Sequence, residues 1–195
     1  MKYGAVMRKR VLSIPLIAVA VVFMALAAFA APKAKAEPKV GAIRVLFLGH
    51  ESEHHNSNKF YPMLAKGLGR DAIYFDYVTS VEEALGDAAY LNKFDALLLY
   101  ANHGKITPGQ WKNLKAFVEE GKGFVPVHCA SWCFGNEPGF DQLVGGRFKS
   151  HQTGIFKARI VDGKHAAMKN VKAFEAWDET YFHTNHNPKN RKVLM

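Results

Sequence analysis

Nine histidines lie in this 195-residue chain, all of them from His50 onward. Imidazole both ligates metals in its neutral form and titrates near physiological pH, so the grouping of these residues is the first clue to chemistry. His50, His54 and His55 share one polar loop, His128 ends an apolar run, and His151 follows the Gly145-Gly146 turn. Asp178-Glu179 adds two carboxylates next to Thr180-Tyr181. In a strand these acids would point to opposite faces, so at most one joins a given site. Glu179 could ligate a metal or act as a general base, while Asp178 could cap a turn. No compact H-E-x-x-H spacing is present, and a zinc site needs three or four ligands converging in space. Taken singly, each histidine also fits a solvated loop or a satisfied core position.

Nucleophilic chemistry has weaker support. His128-Cys129-Ala130-Ser131 follows an apolar strand, as the nucleophile of a strand-to-helix elbow would. The candidate nucleophiles Cys129 and Ser131 are displaced from the strand end, and no G-x-S-x-G or G-x-C-x-G is present. Cys129 and Cys133 are the two cysteines of the chain. Their i, i+4 spacing suits a bridge poorly if both lie on a helical turn, so buried free thiols are expected.

The elements that would position these residues alternate in type. Ile43 to Leu48 reads as a strand ending in Gly49-His50, and Lys59 to Leu68 as a helix behind the His-rich loop. Ala72 to Val78 is a second strand. Ser80 with Glu83 looks like a capping box for a short helix, Val81 to Leu85. Asp95 to Tyr100 is a third, continuously apolar strand. Thr107-Pro108 supplies an N-cap and an N1 proline for a helix through Glu120. Gly121 and Gly123 then launch Phe124 to Val127, the strand that delivers His128. Alternating strands and helices, apolar on both faces, predict a largely parallel sheet covered on both sides. In such sheets ligands sit beyond the carboxyl ends of the strands, where the His50 to His55 loop and His128 would lie. Further on, Phe140 to Val144 suggests a short helix, Ile155 to Val161 a strand, and Ala173 to Phe182 a mixture of aromatics and acids. The last residues, Lys192 to Met195, read as the start of a strand and suggest truncation.

Lys2, Arg8, Lys9 and Arg10 precede an almost unbroken apolar run, Val11 to Ala31, followed by small residues and a Pro/Ala/Lys linker. This is the layout of a secretory signal peptide, although the run is also long enough for a membrane anchor. A periplasmic or secreted protein is therefore expected. Residues 1–36 form the leader and linker, and 37–195 form one domain. Cleavage after Ala36 leaves 159 residues, enough for one core. It removes six basic residues and no acidic one, so the formal charge falls from +9 to +3. The remaining Lys and Arg do not cluster with aromatics, which argues against a nucleic-acid footprint.

Four motifs in order resemble the ThuA-like (trehalose utilisation) family: Gly123 to His128, Leu143 to Phe148 with His151, Asp162-Gly163-Lys164-His165, and Asp178 to Tyr181. Arg44 to Gly49 with His54 also fits that family's first strand and His-bearing loop. The resemblance implies a flavodoxin-like α/β three-layer sandwich related to class I glutamine amidotransferases. It places His128 where those relatives carry a cysteine, so amidotransferase chemistry is not expected. It further implies action on a disaccharide or 3-keto-sugar, by a hydrolase, lyase or isomerase. Carried over by position, it suggests a divalent metal, zinc or manganese, held by His54, His128, His151 and Glu179, with His128 and Glu179 catalytic. His50, His55, His165 and Tyr181 are the expected substrate contacts, His50 and His55 by their place in the polar loop, since neither has a firm counterpart in the family. His165 departs from the family pattern, because Ala166 stands where a proline is usual. A partner sugar oxidoreductase or other carbohydrate-active domain would accompany such an enzyme. The alternative is a non-catalytic carbohydrate-binding or accessory module, with Trp111, Trp132, Trp177 and Tyr181 as stacking candidates. A structural exported protein with incidental histidines is a third alternative.

Overall fold

The computed structural model describes residues 41–189 and 191–195, so the expected leader and linker lie outside the described residues. Strand β1 (Ile43–Leu48) is buried from Val45 onward. It pairs in parallel with β2 (Ile73–Val78) on one side and β3 (Ala96–Leu99) on the other. Strand β4 (Gly123–Pro126) adds to β3, also in parallel. The order β2-β1-β3-β4 is that of the first four strands of a flavodoxin-like sheet. A central strand is apolar where neighbours and helices cover it, which is why Val45 to Leu48 read as an unbroken apolar run, whereas Arg44 at the exposed start pairs with Asp76.

Helix α1 (Ser57–Leu68) is capped by Asn56, whose side chain accepts from the Lys59 N–H. It covers one face of the sheet, where Phe47 meets Tyr61, Phe75 and Tyr77 edge-on and Tyr61 stacks on Tyr77 at 4.6 Å. Leu46, Leu48, Leu97 and Leu99 alternate to the opposite face. There they form the main core with residues of α2 (Val81–Leu85), α3 (Ala88–Leu91) and α4 (Pro108–Glu119). Ser80 caps α2 as expected, and Asp87 caps α3, an additional turn of helix. Thr107 and Gln110 form a full capping box on α4. Gln110 also donates to Glu82 at 2.6 Å, tying α4 to α2.

The chain after β4 departs from expectation. The anticipated helical turn at His128 is a 3-10 turn, His128–Trp132. Helix α5 (Pro138–Val144) follows, ending at Gly145 in the left-handed conformation. The strand expected from Ile155 begins at Arg147 instead: β5 (Arg147–Ala158) pairs antiparallel with β6 (Phe174–Thr184) as a separate two-stranded ribbon. Its first half is polar because most of the ribbon is exposed, which hides the strand from an apolar-run test. Lys192 to Met195 form no strand, although the Leu194 carbonyl accepts from the Val161 and Asp162 N–H groups.

Candidate functional site

The carboxyl ends of β1, β3 and β4 share one edge of the sheet, and the order reverses between β1 and β3. A ligand crevice is expected at that point. Gly49 opens the loop after β1 under tight constraint, since a Cβ there would stand 2.5 Å from the Tyr77 hydroxyl and 2.7 Å from Ser57 Cβ. His50 follows and turns inward, with only 5% of its surface exposed. Its N–H donates to Ser57 Oγ (3.2 Å), and that hydroxyl donates to the Tyr100 carbonyl at the end of β3 (2.6 Å). The His50 ring donates from Nε2 to the His55 carbonyl at 2.8 Å. His55 sits in the left-handed region, φ 56°, a conformation costing a non-glycine residue about 1–2 kcal/mol. The His50 bond holds that turn.

His128 is likewise left-handed, φ 50°, at the start of its 3-10 turn. Although β3 separates β1 from β4, the His55 and His128 rings meet edge-to-face at 4.6 Å. The ribbon closes the arrangement. Strand alternation puts Trp177, Glu179 and Tyr181 on one face of β6, with Ile155, Thr153 and His151 opposite them on β5. Glu179 Oε2 lies 3.3 Å from His128 Nε2, and its Oε1 lies 3.8 Å from His151 Nε2. Tyr181 stacks on His128 at 4.5 Å and brings its hydroxyl to 3.2 Å from His128 Nε2. Asp178, the other acid, accepts from the Glu179 N–H. A partly buried knot around Asp141 fastens the ribbon to the sheet. Arg147 donates to Asp141 (3.2 Å) and to the Trp132 and Cys133 carbonyls, and Asn185 donates to the other Asp141 oxygen (2.8 Å).

His55, His128 and Glu179 each bring a ligand-type atom within 4.8 Å of the others, a group able to hold a metal ion. The 3.3 Å between His128 and Glu179 is close to the span of two ligands each about 2.0–2.1 Å from one tetrahedral zinc. The expected ligand His54 is exposed at the mouth of a pocket beside this group, and its neighbour His55 takes the inward position. His151 reaches Glu179 but stands outside the trio. His50, expected on substrate, braces the loop. His165, also expected on substrate, caps the turn Ala166–Met168 by accepting from the Ala167 N–H. Trp111 packs against the core rather than at the site. His103, which donates to the Gly49 carbonyl at 2.9 Å, was not anticipated. Its place just past the end of β3 marks it by the same crevice rule. His183, 3.2 Å from Ser131 Oγ, carried no comparable signal.

Burial, and then His128, lowers the His55 pKa below the ordinary histidine value, which favours the neutral, ligating form. Burial, reinforced by Glu179, raises the Tyr181 phenol pKa and keeps it a hydrogen-bond donor. Burial pushes the Cys129 thiol up to about 12, which disfavours the thiolate that nucleophilic catalysis requires. Both cysteines are free and buried, as expected.

Two cavities meet at the trio. The larger, about 900 Å³, runs between α1 and the ribbon over Leu98 and Val127. The smaller, about 280 Å³, is walled by Trp132, Phe148 and Tyr181 with His54, Asn102 and His151. His55 and Glu179 border both.

No curated protein matches the chain. A ThuA-like protein of Bacteroides uniformis ATCC 8492 has a similar crystal structure, with TM-score 0.63 and 20% identity over 82% of this chain and 69% of that one. A ThuA-like protein of Parabacteroides merdae ATCC 43184 gives TM-score 0.61 and 17% identity, over 78% and 67%. At these identities the likeness concerns the fold. The ThuA family profile, described as trehalose utilisation, matches residues 44–195. With most of its length matched, the chain belongs to the ThuA family.

Proposed function

We propose that this is an exported enzyme acting on a sugar, a disaccharide or 3-keto-sugar, at a divalent metal centre formed by His55, His128 and Glu179. The observation that carries the proposal is the convergence of these three side chains, from three separate elements, at the sheet's switch point. A bound divalent ion would supply polarisation of a carbonyl or an acidified water. His55, His128 and Glu179 hold the centre and orient it. His151 Nε2, beside the second Glu179 oxygen, is placed to take up or return a proton, leaving Glu179 free to ligate. The Tyr181 hydroxyl donates to a substrate oxygen above His128. Export rests on the basic and apolar composition of the leader.

Elemental mass spectrometry of the purified protein tests the centre. About one ion per chain is expected after incubation with zinc or manganese. It should be lost in His128→Ala and Glu179→Gln variants that remain folded by circular dichroism, and kept in His54→Ala. An absence of metal from the wild type would sink the metal mechanism.

A second reading is favoured by the exposed indoles of Trp132 and Trp177 beside the cavities: a carbohydrate-binding module without turnover. His128→Ala separates the two, since a module that does not touch sugar through His128 keeps its affinity, whereas an enzyme loses turnover.

A further inference from the structure

The two cavities at the trio are chemically unequal. The smaller offers aromatic faces together with amide and imidazole groups from Asn102, His54 and His151, the mixture that recognises a ring bearing hydroxyls. The larger cleft instead carries an apolar stretch, formed by Phe60, Leu64, Leu98 and Val127, with Glu53, Lys59, Thr153 and Asp178 on the rest of its lining. Met63 and Trp177 stand at its sides, 62% and 72% exposed. Trp177 is no stray surface residue, because strand alternation sets it two residues along the same face as Glu179, opposite Ile155. Exposed large apolar groups gathered next to a polar centre mark a ligand surface. An apolar group laid along that stretch, against Met63 and Trp177, buries more apolar surface than a second sugar ring would.

We propose that the substrate is a glycoside with an apolar aryl or alkyl aglycone: the sugar ring occupies the smaller pocket and the aglycone lies along the cleft between Met63 and Trp177. This rests on the carbohydrate reading of the site and narrows it, replacing the second sugar with an apolar group. The glycosidic oxygen then lies over His128 and Glu179, between the two cavities.

Isothermal titration of the full-length protein with methyl glucoside, octyl glucoside below its micelle concentration, 4-nitrophenyl glucoside, trehalose and octanol tests this. Octyl and 4-nitrophenyl glucosides should bind about tenfold or more tighter than methyl glucoside and trehalose. Trp177→Ala and Met63→Ala, both at exposed positions, should remove that gain, and Met63→Ala should leave methyl glucoside unchanged. Trp132→Ala should weaken every glucoside. Equal affinities for methyl and octyl glucoside overturn the proposal, as does octanol binding as tightly as octyl glucoside. If methyl glucoside and trehalose bind without any aglycone gain, the carbohydrate site stands and only this proposal falls. If no glucoside binds, the carbohydrate reading itself falls, and this proposal with it.

Discussion

Replacing His50 with alanine tests whether a buried residue that never faces the cleft sets the geometry of the centre. The substitution removes the Nε2–H that donates to the His55 carbonyl at 2.8 Å and leaves the backbone bond from His50 to Ser57 in place. Losing the donor to a partly buried carbonyl, with its packing, should cost about 1–3 kcal/mol of stability. The same bond offsets the left-handed strain at His55, so its loss frees His55 to relax away from His128. Residues that orient metal ligands without touching the ion typically contribute 10–100-fold to affinity, and a loss of about that size is expected. Competition titration of zinc against a chromophoric chelator measures it, alongside thermal melting. His50→Gln offers an amide N–H in a similar place and should restore part of the affinity. If His50→Ala melts earlier yet binds zinc within about twofold of wild type, against the loss expected for a lost positioning contact, the residue is a packing group only and the argument fails.

Three further outcomes are expected. Asp141→Ala leaves Arg147 and Asn185 without their shared carboxylate, and losing these partly buried hydrogen bonds to a charged group should cost about 2 kcal/mol. Because that knot fastens the ribbon carrying Glu179, metal affinity should fall as well, and a variant that binds metal normally would count against it. Burial holds His103 and His183 below the ordinary histidine value, so the folded chain binds fewer protons than the unfolded one below about pH 6.5. Their contribution to stability is full above that pH and is lost as pH falls towards the depressed folded values. The melting temperature should therefore drop on acidification, less steeply in His103→Gln, and a melting temperature that rises or holds would contradict the assignment. Cys129, its thiol raised to about 12, should resist iodoacetamide in the native protein at mildly alkaline pH and react once denatured. Rapid labelling of the folded chain would reopen the thiol mechanism.

Much of the scaffold is local information, and so it was legible. Val45 to Leu48 are legible as strand because the doubly covered part of a central strand is apolar, and α4 begins at Pro108 because Thr107 and Gln110 satisfy its first N–H groups. The strict alternation of a strand also predicted that only one of Asp178 and Glu179 would join a site, and Glu179 faces His128. The ribbon was only half legible. Its stretch Lys149 to Thr153 is polar and exposed, and it is a strand because β6 lies beside it. The family and the general place of the site at the strand ends follow from motifs and topology. Which histidine of the adjacent pair His54-His55 turns inward does not. Two neighbours in a loop carry the same chemistry, and the choice depends on a left-handed φ at His55 held by a buried ring from His50. The meeting of His55 with His128 likewise depends on how β3 sits between their strands. Composition and period thus determined the sheet, the helices and the supply of ligands. Only the packed tertiary structure decided which ligands converge, because convergence is fixed by contacts between residues far apart in the chain.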